Sequence, residues 1–169
     1  MVAMDRMAAA DMAVTHLIAR GHRRIAMMQR NFGWYVNDGY EASMKRHGLA
    51  PRILSVGKTG DSPERFQPVR DALKDKATAP TALFVLNTQL ASEFYLAAVR
   101  HGWKDVLGLE LVGYDYAPWM QRLPVPITTV EQPIQELVTA TLDIVLERLK
   151  NPGGPRKSVV LPFHLVVRE

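Results

Sequence analysis

The sequence predicts an α/β protein with a doubly wound, mainly parallel sheet and helices on both faces of that sheet. Short apolar segments alternate with helical segments of about 10 to 15 residues, which is the pattern of βαβ units. The segment "TALFVLN" (81–87) is apolar without alternation, as expected of a strand that is covered on both faces. Glycines close three of the predicted helices, at Gly21, Gly48 and Gly102.

The predicted elements alternate regularly up to about residue 115. We expect helices at 7–20, 35–49, 63–76 and 89–101, and the third begins with Ser62 as N-cap and Pro63 at its first position. We expect strands at "RRIAMMQR", "RILSVG", "TALFVLN" and "LELVGYD". Right-handed crossovers between such strands place helices on both faces of one sheet.

The last third of the chain has a different pattern. The segment "LPVPITTV" is expected to be an extended connector interrupted by prolines, and residues 131–150 to form a helix. Large apolar residues lie on one stripe of this helix, so we expect the stripe to find few partners in its own chain. It should pack against another chain, exchange between copies, or fold back. After "NPGGP", the segment "KSVVLPFHLVVRE" is expected to be one final strand.

Composition is typical of a soluble globular protein. The 169 residues suffice for one domain with a core, and 47% are hydrophobic and 22% charged. No apolar run is long enough to span a bilayer, and the N-terminus does not resemble a signal peptide. The absence of cysteine excludes disulfides, so we expect a cytoplasmic protein. The net charge is +4; we interpret Arg20, Arg23, Arg24 and Arg30 as a solvated rim.

Patterns typical of catalysis are lacking. The "GKT" at 57–59 is not preceded by the glycine of a phosphate loop, and the five histidines lack the spacing of zinc ligands. No serine lies in a GxSxG sequence. We therefore predict no enzyme activity, no metal and no cofactor.

Candidate binding residues follow the predicted strands. In an open parallel sheet, ligands bind outside the carboxyl ends of the strands. The residues selected on this basis are Asn31, Trp34, Ser62, Asn87, Asp115 and Tyr116. Amide, hydroxyl and carboxylate groups beside aromatic rings suit a small polar ligand. The alternatives are a helix cap for Asn87, a turn for Asp115, and closure of the core for Trp34 and Trp119.

Six segments, in order, resemble the effector-binding core of LacI/GalR-type bacterial transcription regulators. They are "HLIARGHRRIA", "GYEASMKRHGL", "PTALFVLNTQLA", "LELVGYD", "PITTVEQP" and "LPFHLVVRE". The resemblance implies a periplasmic-binding-protein-like type I fold, of which this sequence carries the C-terminal part. It assigns 1–20 to a remnant of the first lobe and a crossover helix, and 21–125 to the second lobe. It further assigns 126–150 to a crossover and a first-lobe helix, and 151–169 to a return strand of the second lobe.

The resemblance implies a function without catalysis. The intact protein would bind a small effector such as a sugar, and would bind DNA only through a helix-turn-helix that these residues do not include. Dimers would pair through residues 63–76, 88–100 and 117–122, giving a homodimer or a domain-swapped oligomer with no membrane contact. Asn87 and Asp115 match effector-contacting positions, and Ser62 lies near a third. Val36 and Thr88 replace an arginine and an aspartate, which removes a charge-assisted donor and a carboxylate.

Two other functions fit parts of the sequence. A solute-binding protein for transport shares the implied fold, and an unrelated small α/β enzyme shares the alternation of helix and strand. Because half of the implied cleft is missing, we expect the chain by itself to bind its effector weakly or not at all.

Overall fold

The fold is built around one six-stranded sheet, described in a computed structural model for residues 1–30, 35–57, 62–123 and 126–168. The strands are β1 (Val2–Met4), β2 (Ile25–Arg30), β3 (Ile53–Val56), β4 (Ala82–Val85), β5 (Glu110–Tyr114), β6 (Thr128–Glu131), β7 (Val159–Leu161) and β8 (His164–Val166). The α-helices are α1 (Arg6–Ala19), α2 (Tyr35–Arg46), α3 (Gln67–Ala72), α4 (Thr88–His101), α5 (Lys104–Leu107) and α6 (Ile134–Lys150).

The large sheet has the order β3-β2-β4-β5-β6-β8. All neighbouring strands are parallel except β8, which pairs antiparallel with β6. The chain leaves β2 toward β3 on one side and later returns to β4 on the other, so the winding direction reverses between β2 and β4. The predicted doubly wound, mainly parallel sheet is confirmed, and a ligand site is expected at the carboxyl end of this reversal.

Helices cover both faces of the sheet. One apolar core lies between the sheet and helices α1 and α2, and the other lies between the sheet and helices α3 and α4. All four residues of β4 are buried, which explains why its sequence shows no polar alternation. Helices α1 and α2 approach closely at Gly39, where an added Cβ would lie 2.7 Å from the Cα of Met7.

The helix ends agree with the predictions, but one helix is shorter. Gly21, Gly48 and Gly102 follow α1, α2 and α4 with positive φ, the conformation that favours glycine at a helix C-terminus. The segment predicted as a helix over 63–76 is instead a 3₁₀ turn at Pro63–Phe66 followed by α3. No helix in the described ranges combines the length and apolar character needed to cross a membrane.

The last third of the chain differs most from the predictions. The segment expected to be a connector contributes β6, which pairs with β5 inside the large sheet. The predicted final strand is two strands: β7 pairs with β1 in a separate two-stranded parallel sheet, and β8 pairs with β6. The predicted helix begins at Ile134 rather than at 131. Helix α6 contacts β1 and β7, and together these three elements form a small unit beside the large sheet.

Candidate functional site

Asn87 begins helix α4 at the carboxyl end of β4. Its Oδ1 accepts a hydrogen bond from the backbone N–H of Leu90 at 3.1 Å, so the helix-cap interpretation of Asn87 is confirmed. The residue is also exposed at the strand end, beside the point where the winding reverses. A role in ligand contact stays a prediction, and it is compatible with the cap because one amide carries both an acceptor and a donor group.

Asp115 ends β5 in an unusual backbone conformation. Its φ is +74°, in the left-handed region that non-glycine residues seldom occupy, and its N–H donates to the carbonyl of Val130 at 2.8 Å. Burial raises the pKa of the Asp115 carboxyl, while a hydrogen bond from the Gln132 side chain and the charge of Arg6 act in the opposite direction. Asp115 therefore holds a turn, and backbone strain of this kind is concentrated at functional sites.

Gln132 is a site residue that sequence reasoning did not select. Its Nε2 donates to Oδ1 of Asp115 at 2.5 Å, joining the ends of β5 and β6. The two residues line an open cavity of about 660 Å³ with Tyr116, Glu131 and His164. A signal was present, because "VEQP" places polar residues after an apolar segment, but that segment was interpreted as a connector rather than a strand.

Tyr116 lies on the side of the sheet toward α4 and is partly buried. The guanidinium carbon of Arg168 lies 4.7 Å from the centre of its ring. Arg168 also donates through Nη2 to Oε1 of Glu131 at 2.6 Å. The structure thus places Tyr116 at the same cavity as Asp115, and the Arg168 guanidinium packs against the Tyr116 ring.

Neither Asn87 nor Ser62 is among the residues that line this cavity. Ser62 is exposed near the end of β3, and its hydroxyl donates to the carboxylate of Glu64. Strands β2 and β4 separate β3 from β5 in the sheet, so Ser62 lies away from Asp115. Asn31 and Trp34 lie outside the described residues. Trp119 is 42% exposed, so the alternative that it closes the core is wrong.

An ionic cluster lies at the carboxyl end of β2. Arg30 Nη2 lies 3.1 Å and Arg65 Nη1 2.9 Å from Oε2 of Glu93, and Gln89 donates to the other carboxylate oxygen at 2.9 Å. The side chain of Arg65 is only 5% exposed. The interpretation of Arg30 as a solvated residue is therefore wrong. The cluster links the carboxyl end of β2 to α4, the helix that begins after Asn87.

A second cavity lies at the opposite, amino-terminal end of the parallel strands. It has a volume of about 340 Å³, and Arg20, Glu110 and Arg168 contribute its charged groups. Arg20 pairs with Glu110, whose carboxylate also lies 2.8 Å from Nε2 of His22. Arg168 pairs instead with Glu131. Arg20 is part of the ion pair with Glu110, but its side chain is 47% exposed, so the prediction that it is solvated is confirmed.

The side chains at the carboxyl ends of β4, β5 and β6 are suited to binding a small molecule. Among the described residues, no group of three or more His, Asp or Glu side chains is arranged to hold a metal ion. Asp115 and Glu131 supply acceptors, and Asn87 and Gln132 supply amides that both donate and accept. Such groups beside the ring of Tyr116 can read the hydroxyls of a small polar molecule.

This combination of fold and strand-end cavity defines a class of small-molecule-binding domains. A model of the periplasmic binding protein-like domain matches residues 14–169, so the chain belongs to this family, in the form carried by LacI-family regulators. In an alignment 180 residues long, the chain is 29% identical to the NTD biosynthesis operon regulator NtdR of Bacillus subtilis (strain 168). It is 30% identical over 150 residues to the ribose operon repressor of Escherichia coli (strain K12).

Solved structures give the same relationship. A LacI-family regulatory protein from Chloroflexus aggregans superposes with a TM-score of 0.80 at 27% identity, over 99% of this chain and 62% of that one. A LacI-family regulator from Enterococcus faecium with bound ribose gives a TM-score of 0.81 at 22% identity, over 99% and 63%. The resemblance stated from the sequence is confirmed. The curated relatives are named as an operon regulator and an operon repressor.

The match covers most of this chain but only part of each relative. The alignment includes 99% of this chain and 53% of NtdR, and 84% of this chain and 44% of the ribose operon repressor. The chain therefore spans about half the length of the curated relatives that it matches.

Proposed function

We infer that this chain is the effector-binding part of a DNA-binding transcription regulator. The observation that carries the proposal is the arrangement at the carboxyl end of β5 and β6. There, the strained Asp115 accepts a hydrogen bond from Gln132 at the edge of an open cavity. The repressor names of the relatives support a regulatory role. In this proposal a small polar ligand such as a sugar binds at this edge and changes the operator affinity of the whole protein, which acts in the cytoplasm.

The ligand contacts are proposed from position and chemistry. Asp115, Tyr116 and Gln132 line the cavity, and Asn87, at the carboxyl end of β4, is proposed as a further contact from its position alone. Val36 is fully buried and apolar, so it cannot supply the charged donor that the resemblance places there. We therefore favour a neutral, hydroxyl-rich ligand over an anionic one. The predictions for Ser62, Asn31 and Trp34 stay predictions.

The proposed mechanism uses two units of the chain. The large sheet would form the second lobe, and β1, β7 and α6 would belong to the first lobe. This differs from the expected bounds at two strands, because β6 lies in the large sheet and β7 pairs with β1. Since α1, the segment after Gln132 and the residues between β7 and β8 connect the two units, a ligand that contacts both units would favour one relative orientation. Its differential affinity for the two orientations would then shift the fraction of protein that is competent to bind DNA.

The second lobe is also proposed to form a homodimer. Within the expected ranges 88–100 and 117–122, Leu96 and Val99 on α4 are 47% and 49% exposed, and Trp119 is 42% exposed. Large apolar residues grouped on a surface favour protein association. The introduction of a charge by Val99→Glu is expected to halve the mass of any assembly formed through this surface, measured by sedimentation equilibrium. An unchanged mass would contradict this dimer.

A thermal-shift panel tests the ligand proposal. The chain is heated with ribose, lactose, nucleosides and sugar phosphates at concentrations high enough to detect weak binding. A ligand at ten times its Kd stabilises the folded state by about 1.4 kcal/mol, which corresponds to roughly 3–6 °C in Tm for a protein of this size. We expect at least one neutral sugar to produce such a shift.

Matched variants tie the shift to the proposed site. Asp115→Asn should abolish the response to the sugar, whereas Asp105→Asn makes the same chemical change on the exposed helix α5 and should leave the response unchanged. A panel without any response, or a response that Asp115→Asn leaves intact, would refute the proposed function.

A further inference from the structure

The side chain of Arg168 runs along strand β6 from its first residue to its last. The backbone N–H of Arg168 donates to Oγ1 of Thr128, where β6 begins, at 3.2 Å. Its guanidinium reaches Glu131, where β6 ends, three residues or about 10 Å further along the strand. Arg168 therefore lines the cavity at the amino-terminal end of the strands and also contacts residues that line the cavity at the carboxyl end.

The guanidinium of Arg168 is held by several contacts at once. Nη1 donates to the carbonyl oxygen of Ile127 at 3.3 Å and to the hydroxyl of Thr129, and Nη2 donates to Oε1 of Glu131 at 2.6 Å. The same group packs against the ring of Tyr116, and the side chain is only 26% exposed. Because any change of rotamer would break several of these contacts, the guanidinium has little freedom to move.

The carboxylate of Glu131 is bound through one of its two oxygens. Its Oε1 accepts from Arg168 and from the hydroxyl of Thr129, the latter at 2.6 Å. Within the part of the chain that the structure describes, Oε2 accepts no hydrogen bond. The Glu131 side chain is 21% exposed and lines the open cavity at the carboxyl end. Oε2 is therefore the acceptor that Glu131 offers to this cavity.

Asp115 shows the same arrangement on the neighbouring strand. Its Oδ1 accepts from Gln132, and its Oδ2 accepts no hydrogen bond among the described residues. Tyr114 lies opposite Val130 in the parallel pairing of β5 with β6, so Asp115 and Glu131 are the next residues of the two strands. An ionised carboxylate can only accept hydrogen bonds. Both free oxygens therefore suit a ligand that donates from hydroxyl groups.

From this geometry we propose that Glu131 accepts a hydrogen bond from a ligand hydroxyl and that Arg168 is the residue that positions Glu131 for this contact. The inference rests on the proposed function, and it defines the ligand further as a neutral sugar that donates hydroxyls to both strand ends. Arg168 is not one of the described residues that line this cavity, so it acts through Glu131 and Tyr116 rather than by touching the ligand. Without Arg168, the Glu131 carboxylate loses its anchor and turns toward solvent.

A double-mutant cycle on the full chain tests this proposal. The Kd values of ribose and lactose, two sugars of the thermal-shift panel, are measured by NMR titration for the wild type, Glu131→Gln, Arg168→Met and the double variant. Methionine keeps a long side chain beside the Tyr116 ring but donates no hydrogen bond. Each single change should raise the Kd of a bound sugar by about tenfold.

The double variant separates positioning from independent effects. If Arg168 acts through Glu131, the double variant should also raise the Kd by about tenfold, whereas two independent effects would multiply to about a hundredfold. Arg46→Met is the matched control, because Arg46 also pairs with a carboxylate, that of Asp11, but on helix α2. The control should leave the Kd unchanged.

Circular dichroism checks that each variant is folded. If Arg168→Met does not fold, Arg168→Lys takes its place in the cycle, since lysine keeps the charge but lacks the planar fork that holds Thr129 and Glu131 together. The same loss of about tenfold is expected from it.

The outcomes distinguish this inference from the proposed function. A wild-type Kd in either single variant, or a hundredfold loss in the double variant, overturns the positioning role of Arg168. If Asp115→Asn still abolishes binding in that case, the proposed function stands. If neither sugar binds to the wild type, the proposed function fails and this inference fails with it.

Discussion

Replacement of Tyr40 by phenylalanine tests the link between α2 and the sheet. The Tyr40 side chain is fully buried, and its hydroxyl donates to the carbonyl oxygen of Ile25 at 3.0 Å. The carbonyl oxygen of Arg52 lies 3.1 Å from the same hydroxyl and is a second acceptor for it. The same hydroxyl accepts from the N–H of Arg52 at 3.0 Å. Burial raises the pKa of Tyr40, so the hydroxyl remains protonated at neutral pH. Tyr40→Phe removes one oxygen and leaves the ring in place.

The expected loss follows from the groups left without a partner. The N–H of Arg52 and the carbonyl of Ile25 would lose the hydroxyl, and an unsatisfied buried group costs about 1–3 kcal/mol. We expect the free energy of unfolding to fall by about 2 kcal/mol, and Tm by roughly 4–8 °C.

Urea unfolding followed by circular dichroism measures this change. Tyr95→Phe is the control, because Tyr95 is only partly buried and makes no hydrogen bond among the described residues. Its effect should stay within about 0.5 kcal/mol. If Tyr40→Phe costs no more than Tyr95→Phe, the argument that the hydroxyl joins α2 to β2 and to the residue before β3 is refuted.

Three further changes test the site and the packing. Asn87→Ala should lower the free energy of unfolding by about 1 kcal/mol because the helix cap is lost, whereas Asn87→Asp should retain the cap and the wild-type stability. Equal urea midpoints for the two variants would contradict this. Because burial raises the pKa of Asp115, stability from its neutral form is lost as pH rises through that pKa. Asp115→Asn should remove this decline in stability with pH. If the Tm of the variant differs from the Tm of the wild type by the same amount at about pH 4 and at about pH 8, the prediction is contradicted. Gly39→Ala should cost about 1–3 kcal/mol by calorimetry because its Cβ would meet Met7, whereas Gly108→Ala has ordinary contacts; equal costs would contradict the close approach.

The fold of the first two thirds follows from local signals. Apolar runs such as Ala82–Val85 form strands because both faces are covered, and the glycines after α1, α2 and α4 adopt the positive φ that ends a helix. These signals depend on residues close together in sequence. They were sufficient to predict the doubly wound sheet.

The last third could not be predicted in the same way. Thr128–Glu131 is a strand because it pairs with β5 and β8, and β8 is separated from it by α6 and β7. Prolines around 124–126 and 133 made the segment resemble a connector. Because the sequence does not mark β6 as a strand, it does not mark Gln132 as a strand-end residue either.

Pairing at a distance also explains the error at Arg30. An arginine at the end of a strand is usually solvated. Here Glu93 on α4 and Arg65 beside β3 converge on it, and only the tertiary fold places these three residues together. Asn87 and Asp115 were easier to find because the strand before each of them was recognisable from sequence.

The central claim is that the carboxyl ends of β4, β5 and β6 bind the ligand. Two-dimensional ¹H–¹⁵N NMR of the full chain, titrated with the sugar that produces the thermal shift, tests it most directly. The account predicts that the largest shifts occur at Asn87, Asp115 and Gln132, and that Asp115→Asn removes them. Shifts confined to the opposite cavity, around Arg20 and Glu110, would contradict it.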